Sequence, residues 1–598
     1  MTTLRIANCS GFFGDRLAAA REMVEGGPID VLTGDYLAEL TMAILWRTRS
    51  RQPDGGYAST FLTQMEEVLG TCLERGIKVV SNAGGLNPAG LAERLEKLAG
   101  DLGYTPKIAY LEGDDLLSRL PELEAQGHEF RHLDRDLPLR GSGVTPLTAN
   151  AYLGGWGIKT ALEQGADVVI CGRVTDAALV IGPAAWHHRW RRDDWDSLAG
   201  ALVAGHIIEC GAQATGGNYA FFAEVPGLAH IGFPLVEMEA DGSFVVTKHP
   251  HTGGLVSVGT VTAQLLYEIS GNEYLNPDVT ALFDTIRLEE VGPDRVAVSQ
   301  VQGVPPPADL KVALNYLGGY RNAMTFGLAG LNIEEKARLL EEALWTELGG
   351  KDQFATAHAQ LIASAREDPE TNDDALSYLR VTVMDPDQEK VGRRFSRTAV
   401  EFALSHYPGF FLTSPPGEAT PYAVYWPTTI PASLVPMRVV MGDDSWDVPS
   451  AVPETPAAEG AFVSPLSNQS APPADNPPLA THHSKRVPLG ALAGARSGDK
   501  GGNANVGFWV RSQDAYDWLA AFLTVDELLR LLPEAAGLRI ERHDFPNLWA
   551  LNFVINGLLG EGVSSSTRTD PQAKSLGEFL RAKLVPIPES LLPNQHQR

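Results

Sequence analysis

Short apolar runs alternate with amphipathic stretches over the first 180 residues of the chain. Within the stretch 58–75, for example, apolar side chains from Phe61 to Cys72 recur at helical spacing. Strands that alternate with helices of this length are typical of a parallel sheet covered by helices on both faces. The sequence therefore predicts an α/β fold with a mostly parallel sheet. The predicted strands are 4–9, 29–35, 77–82, 107–115 and 166–172.

The pattern changes near residue 448. Up to residue 447 it stays α/β, with a clear helix at 331–348 and a strand at 379–385. Eight prolines then lie between residues 449 and 478, a composition that suits a semi-extended tether and not a core. We therefore predict three parts: an α/β domain at 1–447, a Pro/Ala/Ser-rich linker at 448–485 and a smaller domain at 486–598.

The segment 486–598 predicts a small α+β fold of the ferredoxin-like class. A strand at 485–494 and a second strand at 505–510 flank a glycine-rich loop. Thr524 and Glu527 have the spacing of a helix capping box, and Leu523 and Leu528 have that of a hydrophobic staple. A final helix is expected to start near Asp570.

Charge and composition indicate which kinds of molecule the protein can bind. The chain has 598 residues with 74 acidic and 48 basic side chains, a formal net charge of −26. Such a balance argues against binding to nucleic acid or to anionic membranes, but a local pocket can still be positive and bind an anionic small molecule. The four cysteines are widely spaced, the N-terminus has no signal-like pattern, and no long apolar run occurs. These features predict a cytoplasmic protein. We also expect its substrate to be a small molecule.

Polar and small residues follow each of the five predicted strands. The turns are "SGFFGD", "GDYLAE", "NAGGLNP", "EGDD" and "GRVTDA". In open α/β sheets, ligands bind in the crevice beyond the carboxyl ends of the strands. We therefore expect these five turns to gather along one edge and to form an active site.

The first two turns carry candidate ligand-binding and acid/base groups. Gly11 and Gly14 precede a helix and could expose amides to an anion, although Asp15 would add negative charge there or simply cap the helix. Asp35 and Glu39 are four residues apart. They could do acid/base work or ligate a cation, or they could cap and stabilise the first turn of a helix.

The third and fifth turns add further candidates. Gly84 and Gly85 allow close approach of a ligand to the backbone, between Asn82 and Asn87, or they only form a tight turn before Pro88. Arg173 could hold a carboxylate or phosphate, whereas Asp176 could instead neutralise it in a structural pair. The ligand-binding candidates of the third turn are Asn82, Gly84, Gly85 and Asn87.

The segment "GHIIECGAQATGGN" places His206 and Glu209 at i, i+3. This spacing suits a base and the group that orients it, or two metal ligands, but no third ligand is evident and we predict no metal. Cys210 would need activation to act as a nucleophile. A second ligand-sized turn follows, with Gly216, Gly217 and Asn218.

The stretch "ARSGDKGGNANVGFWV" (495–510) is rich in glycine and polar groups. One interpretation is a hairpin-like turn with an internal Asp–Lys pair. The other is a loop that this domain lends to the strand-end crevice of its own or a neighbouring subunit. The candidate ligand-binding residues are Arg496, Asp499, Lys500, Asn503 and Asn505.

Several long motifs in the same order resemble the acyclic terpene utilisation protein family. They are "GDYLAELT", "NAGGLNP", "GRVTDAALVIGP", "GHIIECGAQATGGNYA" and "RSGDKGGNANVG". The resemblance implies a large α/β domain followed by a small ferredoxin-like domain. It also implies a role in the breakdown of citronellol, geraniol and branched acyl-CoA thioesters. The family carries no assigned catalytic residues to transfer.

The resemblance makes an enzyme acting on a branched or terpenoid acyl-CoA, of the hydratase or lyase type, the leading hypothesis. Asp35, Glu39 or Glu209 would then be the general base, and Arg173 and Lys500 would hold phosphate or carboxylate. Amides of the "NAGG" and "TGG" turns would stabilise an enolate oxygen. No cofactor is assigned beyond a CoA thioester as substrate.

Two other classes stay open. One is a non-catalytic assembly subunit of a biotin-dependent acyl-CoA carboxylase, and the other is a nucleotide- or phosphate-dependent enzyme, although the common nucleotide motifs are absent. We also expect a homo-oligomer.

Overall fold

A computed structural model describes residues 3–38, 41–450 and 484–592. The chain divides into two compact units. The first contains Met1–Asn315, Tyr425–Val563 and Gln572–Arg598, and the second contains Tyr316–Val424 and Ser564–Pro571. Glu39 and most of the predicted linker (451–483) lie outside the described residues.

Helices are spread over both units. In chain order they are α1 (Ala19–Gly26), α2 (Thr41–Arg51), α3 (Thr60–Arg75), α4 (Pro88–Asp101), α5 (Leu120–Ala125), α6 (Trp156–Glu163), α7 (Ala178–His188), α8 (Trp195–Ile208), α9 (Val258–Leu265), α10 (Ile333–Leu348), α11 (Gln388–Val391), α12 (Arg393–Glu401), α13 (Gln513–Phe522), α14 (Val525–Leu531) and α15 (Leu576–Arg581). In the described ranges, none of them is long and apolar enough to cross a membrane.

The strands are mostly short. In chain order they are β1 (Leu4–Asn8), β2 (Val31–Gly34), β3 (Lys78–Ser81), β4 (Ile108–Glu112), β5 (Pro146–Ala151), β6 (Val168–Ile170), β7 (Pro234–Met238), β8 (Phe244–Lys248), β9 (Glu273–Leu275), β10 (Thr280–Leu282), β11 (Arg287–Gly292), β12 (Arg295–Ser299), β13 (Gln302–Val304), β14 (Asp309–Ala329), β15 (Thr356–Ile362), β16 (Leu376–Asp385), β17 (Phe411–Leu412), β18 (Thr420–Pro431), β19 (Met437–Met441), β20 (Asp444–Val448), β21 (Ser484–Pro488), β22 (Gly494–Lys500), β23 (Asn503–Trp509), β24 (Ile540–Phe545), β25 (Ala550–Ile555) and β26 (Leu584–Pro588).

The first unit is built on an eleven-stranded sheet with the order β11-β12-β8-β7-β1-β2-β3-β6-β4-β19-β20. Its five central strands, β1, β2, β3, β6 and β4, are the five predicted from the sequence, and they pair in parallel. The strands on both sides pair antiparallel. The fold is therefore mixed α and β as predicted, but a mostly parallel sheet is not confirmed.

The physical reason is the length of the connections. Parallel strands need a crossover, usually a helix, whereas antiparallel strands can be joined by a short turn. Only five residues connect β7 to β8, two connect β11 to β12 and two connect β19 to β20, so each pair forms a hairpin at the margin of the sheet.

The parallel centre packs on the stripe that the sequence predicted for α3. Phe61, Met65, Val68, Leu69 and Cys72 are buried in one hydrophobic cluster with side chains of the central strands. Burial of apolar surface of this kind stabilises the fold by about 25 cal/mol per Å². The cluster thus holds α3 against the central strands whose carboxyl ends lead into the polar turns.

The C-terminal segment forms a ferredoxin-like domain with a four-stranded antiparallel sheet in the order β22-β23-β25-β24. The glycine-rich stretch 495–510 forms a β-hairpin, in agreement with the hairpin-like turn that was one of its two interpretations. β22 and β23 pair from Gly494–Trp509 to Lys500–Asn503, and only Gly501 and Gly502 form the turn. The predicted strand at 485–494 is the shorter β21, and the last helix is α15, which starts at Leu576 and not near Asp570.

Glycine occurs inside this hairpin because another segment lies directly against it. A Cβ atom at Gly498 would lie 2.5 Å from the Tyr267 ring, and one at Gly507 would lie 2.6 Å from Leu266 Cβ. Both neighbours belong to the segment that follows α9. The missing side chains thus allow the hairpin to pack directly against the segment that follows α9.

The second unit is built on antiparallel strands. β16 pairs with the second half of β14, from Tyr320 to Ala329, and with β15. The predicted helix at 331–348 is α10, and its buried residues Leu340 and Leu344 pack in one cluster with Phe395 of α12.

Candidate functional site

The turns that follow β2 and β3 are joined by Asn82. Its Nδ2 donates to Asp35 Oδ1 at 2.6 Å, and its Oδ1 accepts from the Tyr36 amide at 2.8 Å. The Leu37 amide also donates to Asp35 Oδ1, at 3.0 Å. Asp35 and Asn82 are both buried. The carboxyl ends of β2 and β3 therefore bring these two residues together, with Asn82 positioning Asp35.

The environment of Asp35 favours its protonated form. Burial raises its pKa well above the ordinary value, and the negative charge of Asp176 raises it further. The Arg173 guanidinium and the hydrogen bond from Asn82 oppose this shift in pKa. The pKa of Asp35 therefore depends on the charges of Asp176 and Arg173 in the turn that follows β6.

Arg173 in that turn is almost fully buried and already holds protein partners. Its Nη2 donates to Asp176 Oδ1 at 3.1 Å, its Nη1 donates to the Leu37 carbonyl, and its guanidinium lies 4.2 Å from the centre of the Tyr152 ring. Of the two roles considered for Arg173 from the sequence, the structure contains the ion pair with Asp176. The Asp176 side chain remains about one third exposed.

His206 and Glu209 face each other at the end of α8. His206 Nδ1 lies 3.3 Å from Glu209 Oε1, and both side chains are buried. Glu209 Oε2 is buried without a hydrogen-bond partner among the described residues. Both ring nitrogens of His206 are likewise buried without a hydrogen-bond partner among the described residues. A buried carboxyl with an unsatisfied oxygen can take up or release a proton from a bound molecule.

The electrostatics of this pair link the strand-end turns to the C-terminal domain. Burial raises the pKa of Glu209 well above its ordinary value, as do the charges of Asp176 and Glu268, whereas Lys500 and Arg173 lower it. Burial and the charge of Lys500 lower the pKa of His206 to about 4. His206 is therefore neutral near pH 7, and it does not offset the charge of Glu209.

The β22–β23 hairpin reaches this centre through Glu268. Lys500 Nζ donates to the Glu268 carbonyl at 2.8 Å, and Asn505 Oδ1 accepts from the Glu268 amide at 2.9 Å. Glu268 has a φ of 57°, a left-handed conformation that is uncommon for a residue with a side chain. Lys500 Nζ also lies 5.7 Å from the centre of the Tyr274 ring, which contacts the His206 ring.

Two more of the predicted residues in the hairpin lie in the same cluster. Arg496 donates to Gln213 Oε1 and stacks 4.3 Å from the centre of the Tyr267 ring. Asp499 lies 3.6 Å from Lys574, which donates to the Tyr267 hydroxyl.

Asn503 lies elsewhere. Its Nδ2 donates to Asp134 Oδ1 at 3.1 Å and its Oδ1 accepts from the Gly557 amide at 2.8 Å. The structure thus brings four of the five hairpin candidates together and leaves Asn503 outside the cluster.

The glycine-rich turns have mostly local roles. Their amides donate within the protein: Gly11 to Asp15 Oδ2, Gly14 to the Phe12 carbonyl, Gly85 to the Asn82 carbonyl, Gly216 to the Gln213 carbonyl and Gly217 to the Ala212 carbonyl. Gly84 packs against the Cys171 carbonyl. Asn87 caps α4 by accepting from the Gly90 amide, and Asn218 is exposed with a φ of 57°. These hydrogen bonds stabilise the turns themselves, so none of these bonded amides is a free donor.

The sequence patterns missed the residues contributed by the segment after α9. Tyr267, Glu268 and Tyr274 contact the hairpin or His206, and Lys574 lies 3.2 Å from Glu268 Oε1. The available signal was a single acidic residue within the apolar run "VTAQLLYEI". The pattern gave no sign of a site because the run begins inside α9 and does not follow one of the central strands.

Thiol and metal chemistry receive no support from the arrangement. Burial and the charges of Glu209 and Glu268 raise the pKa of Cys210 well above its ordinary value, so the thiol form is favoured over the nucleophilic thiolate. Among residues 3–38, 41–450 and 484–592, no group of three His, Cys, Asp or Glu side chains could hold a metal ion.

Two family models match the chain. The model described as acyclic terpene utilisation family protein AtuA matches residues 4–441, and the model described as AtuA ferredoxin-like domain matches residues 487–586. No curated protein and no solved structure matches the chain. The first match covers more than half of the chain, and the two matches together confirm the resemblance carried by the sequence motifs.

Proposed function

Because the chain belongs to the acyclic terpene utilisation family, we propose that it is a catabolic enzyme acting on a branched or terpenoid acyl-CoA. The proposed chemistry is of the hydratase or lyase type. Its central step is the transfer of a proton to or from the carbon next to the thioester carbonyl. The proposal rests on the buried Glu209 carboxyl with its unsatisfied Oε2.

Glu209 is the proposed general base. Its carboxylate takes the proton as the C–H bond breaks, and the electron pair of that bond moves onto the thioester oxygen as an enolate. A carboxylate with a raised pKa is a stronger base for this task than one in water. The proton returns from the Glu209 carboxyl in the reverse step.

The positive charges around the centre have a complementary role. Lys500 and Arg173 both lower the pKa of Glu209 and so favour its carboxylate form, against the larger effect of burial. The same charges would stabilise the enolate, because electrostatic stabilisation is strong in a site shielded from water. The partly exposed Asp176 marks the side from which a substrate would enter.

His206 is a positioning residue in this proposal. Its Nδ1 lies beside Glu209 Oε1, and its lowered pKa keeps it neutral. A neutral imidazole orients the carboxyl without forming a full ion pair, which would lower the basicity of Glu209. Asp35, held by Asn82, is a second carboxyl within the same electrostatic network.

Proton exchange tests the proposal. Purified full-length protein is incubated in D₂O with saturated and α,β-unsaturated branched acyl-CoA thioesters, and mass spectrometry follows deuterium at the α-carbon and gain or loss of water. We expect exchange with the wild type and a loss of about 10²–10⁴-fold in Glu209→Gln. Glu289→Gln, at an exposed position of β11, is the matched control and should keep full activity.

Other results would contradict the proposal. No exchange with any thioester, together with co-purification of carboxylase subunits, would favour the assembly-subunit hypothesis. Exchange that persists in Glu209→Gln would show that another group, with Asp35 as the first candidate, is the base.

A further inference from the structure

A second concave site lies on the first unit, at the C-terminal end of α7. It is a cavity of about 640 Å³. Its lining residues are Trp156, Lys159, Thr160, Glu163, Trp186, Arg189, Trp190, Arg191 and Arg192. Three indole rings and four basic side chains thus surround one cavity, in a chain whose formal net charge is −26. A local positive pocket on an acidic protein concentrates anionic ligands.

Two of the four basic side chains are already balanced by carboxylates. Lys159 donates to Glu163, and Arg191 pairs with Asp193 at 3.2 Å and with Asp194 at 3.7 Å. In the described part of the chain, Arg189 and Arg192 have no carboxylate within 4 Å. These two guanidinium groups therefore carry the positive charge of the cavity that no direct ion pair balances, although the negative charge of the buried Asp278 partly offsets that of Arg192.

Arg192 also holds donors that lack acceptors. Its guanidinium lies 4.7 Å from the centre of the Trp156 ring, and its Nη2 donates to the Pro449 carbonyl at 2.9 Å. Its Nη1 and Trp156 Nε1 are both buried and find no acceptor among the described residues. Buried donors without acceptors are costly to the folded state, so this pair of donors indicates a site for acceptor oxygens of a ligand.

The cavity also has aromatic surface for a flat group. Trp186 is only half-buried and lines the cavity from the last turn of α7. Trp190 is held by a hydrogen bond of 2.8 Å from its Nε1 to the Ala240 carbonyl and by stacking on His188. Rigid indoles at a pocket wall offer stacking surface at low cost in conformational entropy.

We propose that this cavity binds a ligand that joins a planar ring to phosphate groups, as in a nucleotide. The ring packs against Trp186, and Arg189 and Arg192 hold the phosphate oxygens. The site is separate from the His206–Glu209 centre. α7 begins after the turn that contains Asp176, and its 11 residues extend over about 16 Å before the cavity is reached.

Calorimetry on the full-length protein tests this inference with ADP, coenzyme A, adenosine and inorganic pyrophosphate as probes. We expect ADP to bind, with a dissociation constant at least about tenfold higher in Arg192→Gln and in Trp186→Leu. Arg189→Gln, at an exposed position, gives a second test if Arg192→Gln fails to fold. Arg397→Gln, on exposed α12 surface, is the control and should bind ADP like the wild type.

The probes also identify the source of the ligand. Coenzyme A that binds about tenfold more tightly than ADP would indicate the nucleotide end of a thioester, whereas equal or weaker binding would indicate a free nucleotide. The inference is overturned if neither ADP nor coenzyme A binds, if pyrophosphate binds as tightly as ADP, or if the pocket variants bind like the control. Glu209→Gln should retain ADP binding. The ADP-binding result can therefore be interpreted even if the catalytic proposal for Glu209 fails.

Discussion

Lys500 Nζ donates a hydrogen bond of 2.8 Å to the main-chain carbonyl of Glu268. This bond joins the C-terminal ferredoxin-like domain to the segment that follows α9, and Asn505 holds the amide of the same residue. The positive charge of Lys500 also acts on Glu209 and His206 and lowers the pKa of both. The C-terminal hairpin is therefore an electrostatic component of the candidate active site.

Replacement of Lys500 by Met should shift the pH profile of the enzyme. Lys500 lowers the pKa of Glu209, so its removal raises that pKa, and the carboxylate form is reached only at higher pH. We expect the acidic limb of kcat/KM for thioester proton exchange to move to higher pH. Lys485→Met, at an exposed position of β21, should leave the profile unchanged. An unshifted limb in Lys500→Met would remove Glu209 as the titrating group.

Asn505→Ala should destabilise the contact between the hairpin and Glu268. The variant leaves the Glu268 amide without its acceptor and Asn552 Oδ1 without the donor from Asn505. Loss of such buried partners typically costs about 1–3 kcal/mol. Urea unfolding should show this loss in the free energy of unfolding, whereas Asn503→Ala, which lies outside the cluster, should cost about 1 kcal/mol or less. Equal losses in the two variants would contradict the role assigned to Asn505.

The central part of the fold follows from local patterns. β1, β2, β3, β4 and β6 were predicted because apolar runs and turn residues recur at regular spacing, and the position of the strand-end turns follows from their parallel order. Asp35, Asn82, Arg173 and Asp176 could be placed at one edge on this basis alone. The antiparallel margins were missed because strands such as β7 and β8 do not differ in pattern from the parallel ones.

The C-terminal part of the site could not be derived in the same way. The hydrogen bond between Lys500 and Glu268 connects residues 232 positions apart. The hydrophobic periodicity of the sequence contains no information about such a contact. Gly498 was predicted in a loop since glycine normally weakens a strand, whereas Gly507 was predicted within the strand 505–510. They are strand residues because Tyr267 and Leu266 occupy the space of their missing side chains, and this becomes visible only in three dimensions.

Gly507→Ala tests that close approach. The added methyl group would lie 2.6 Å from Leu266 Cβ, an atom fixed to the backbone, so the hairpin or the segment after α9 has to move. Overpacking of this kind costs about 1–3 kcal/mol. Gly100→Ala is the matched control, since it lies within α4 with open space around it and should stabilise the protein by about 0.5–1 kcal/mol. A neutral Gly507→Ala would show that the two segments are not in close contact.

Glu209→Gln should make the folded protein more stable near neutral pH while abolishing exchange. Because the folded-state pKa of Glu209 is raised, the folded state retains a proton that the unfolded chain releases, and stability falls as pH rises above the ordinary carboxyl pKa. Glutamine does not ionise, so the variant lacks this loss. Its free energy of unfolding should exceed that of the wild type near pH 7, with a smaller difference near pH 4. A variant that is less stable at both pH values would contradict the buried, protonated state of Glu209.

His206 provides the opposite pH dependence. Its pKa falls from 6.5 to about 4 on folding, so between these pH values the unfolded chain binds a proton that the folded protein excludes. Stability is therefore complete above pH 6.5 and is lost as pH falls toward 4, by about 3 kcal/mol in total. His206→Gln removes this component, and the difference in unfolding free energy between pH 7 and pH 4.5 should shrink by about 2–3 kcal/mol.

Urea titrations at the two pH values measure that difference, with His251→Gln in an exposed loop as the control for loss of a histidine. NMR of the imidazole nitrogens provides a direct check, because His206 should remain neutral at pH 5.5 in the folded protein. Protonation of His206 at that pH, or an undiminished difference in the variant, would mean that the imidazole is not buried beside Lys500. The neutral orienting role proposed for His206 next to Glu209 would then fail as well, since a charged imidazole at 3.3 Å would lower the basicity of Glu209.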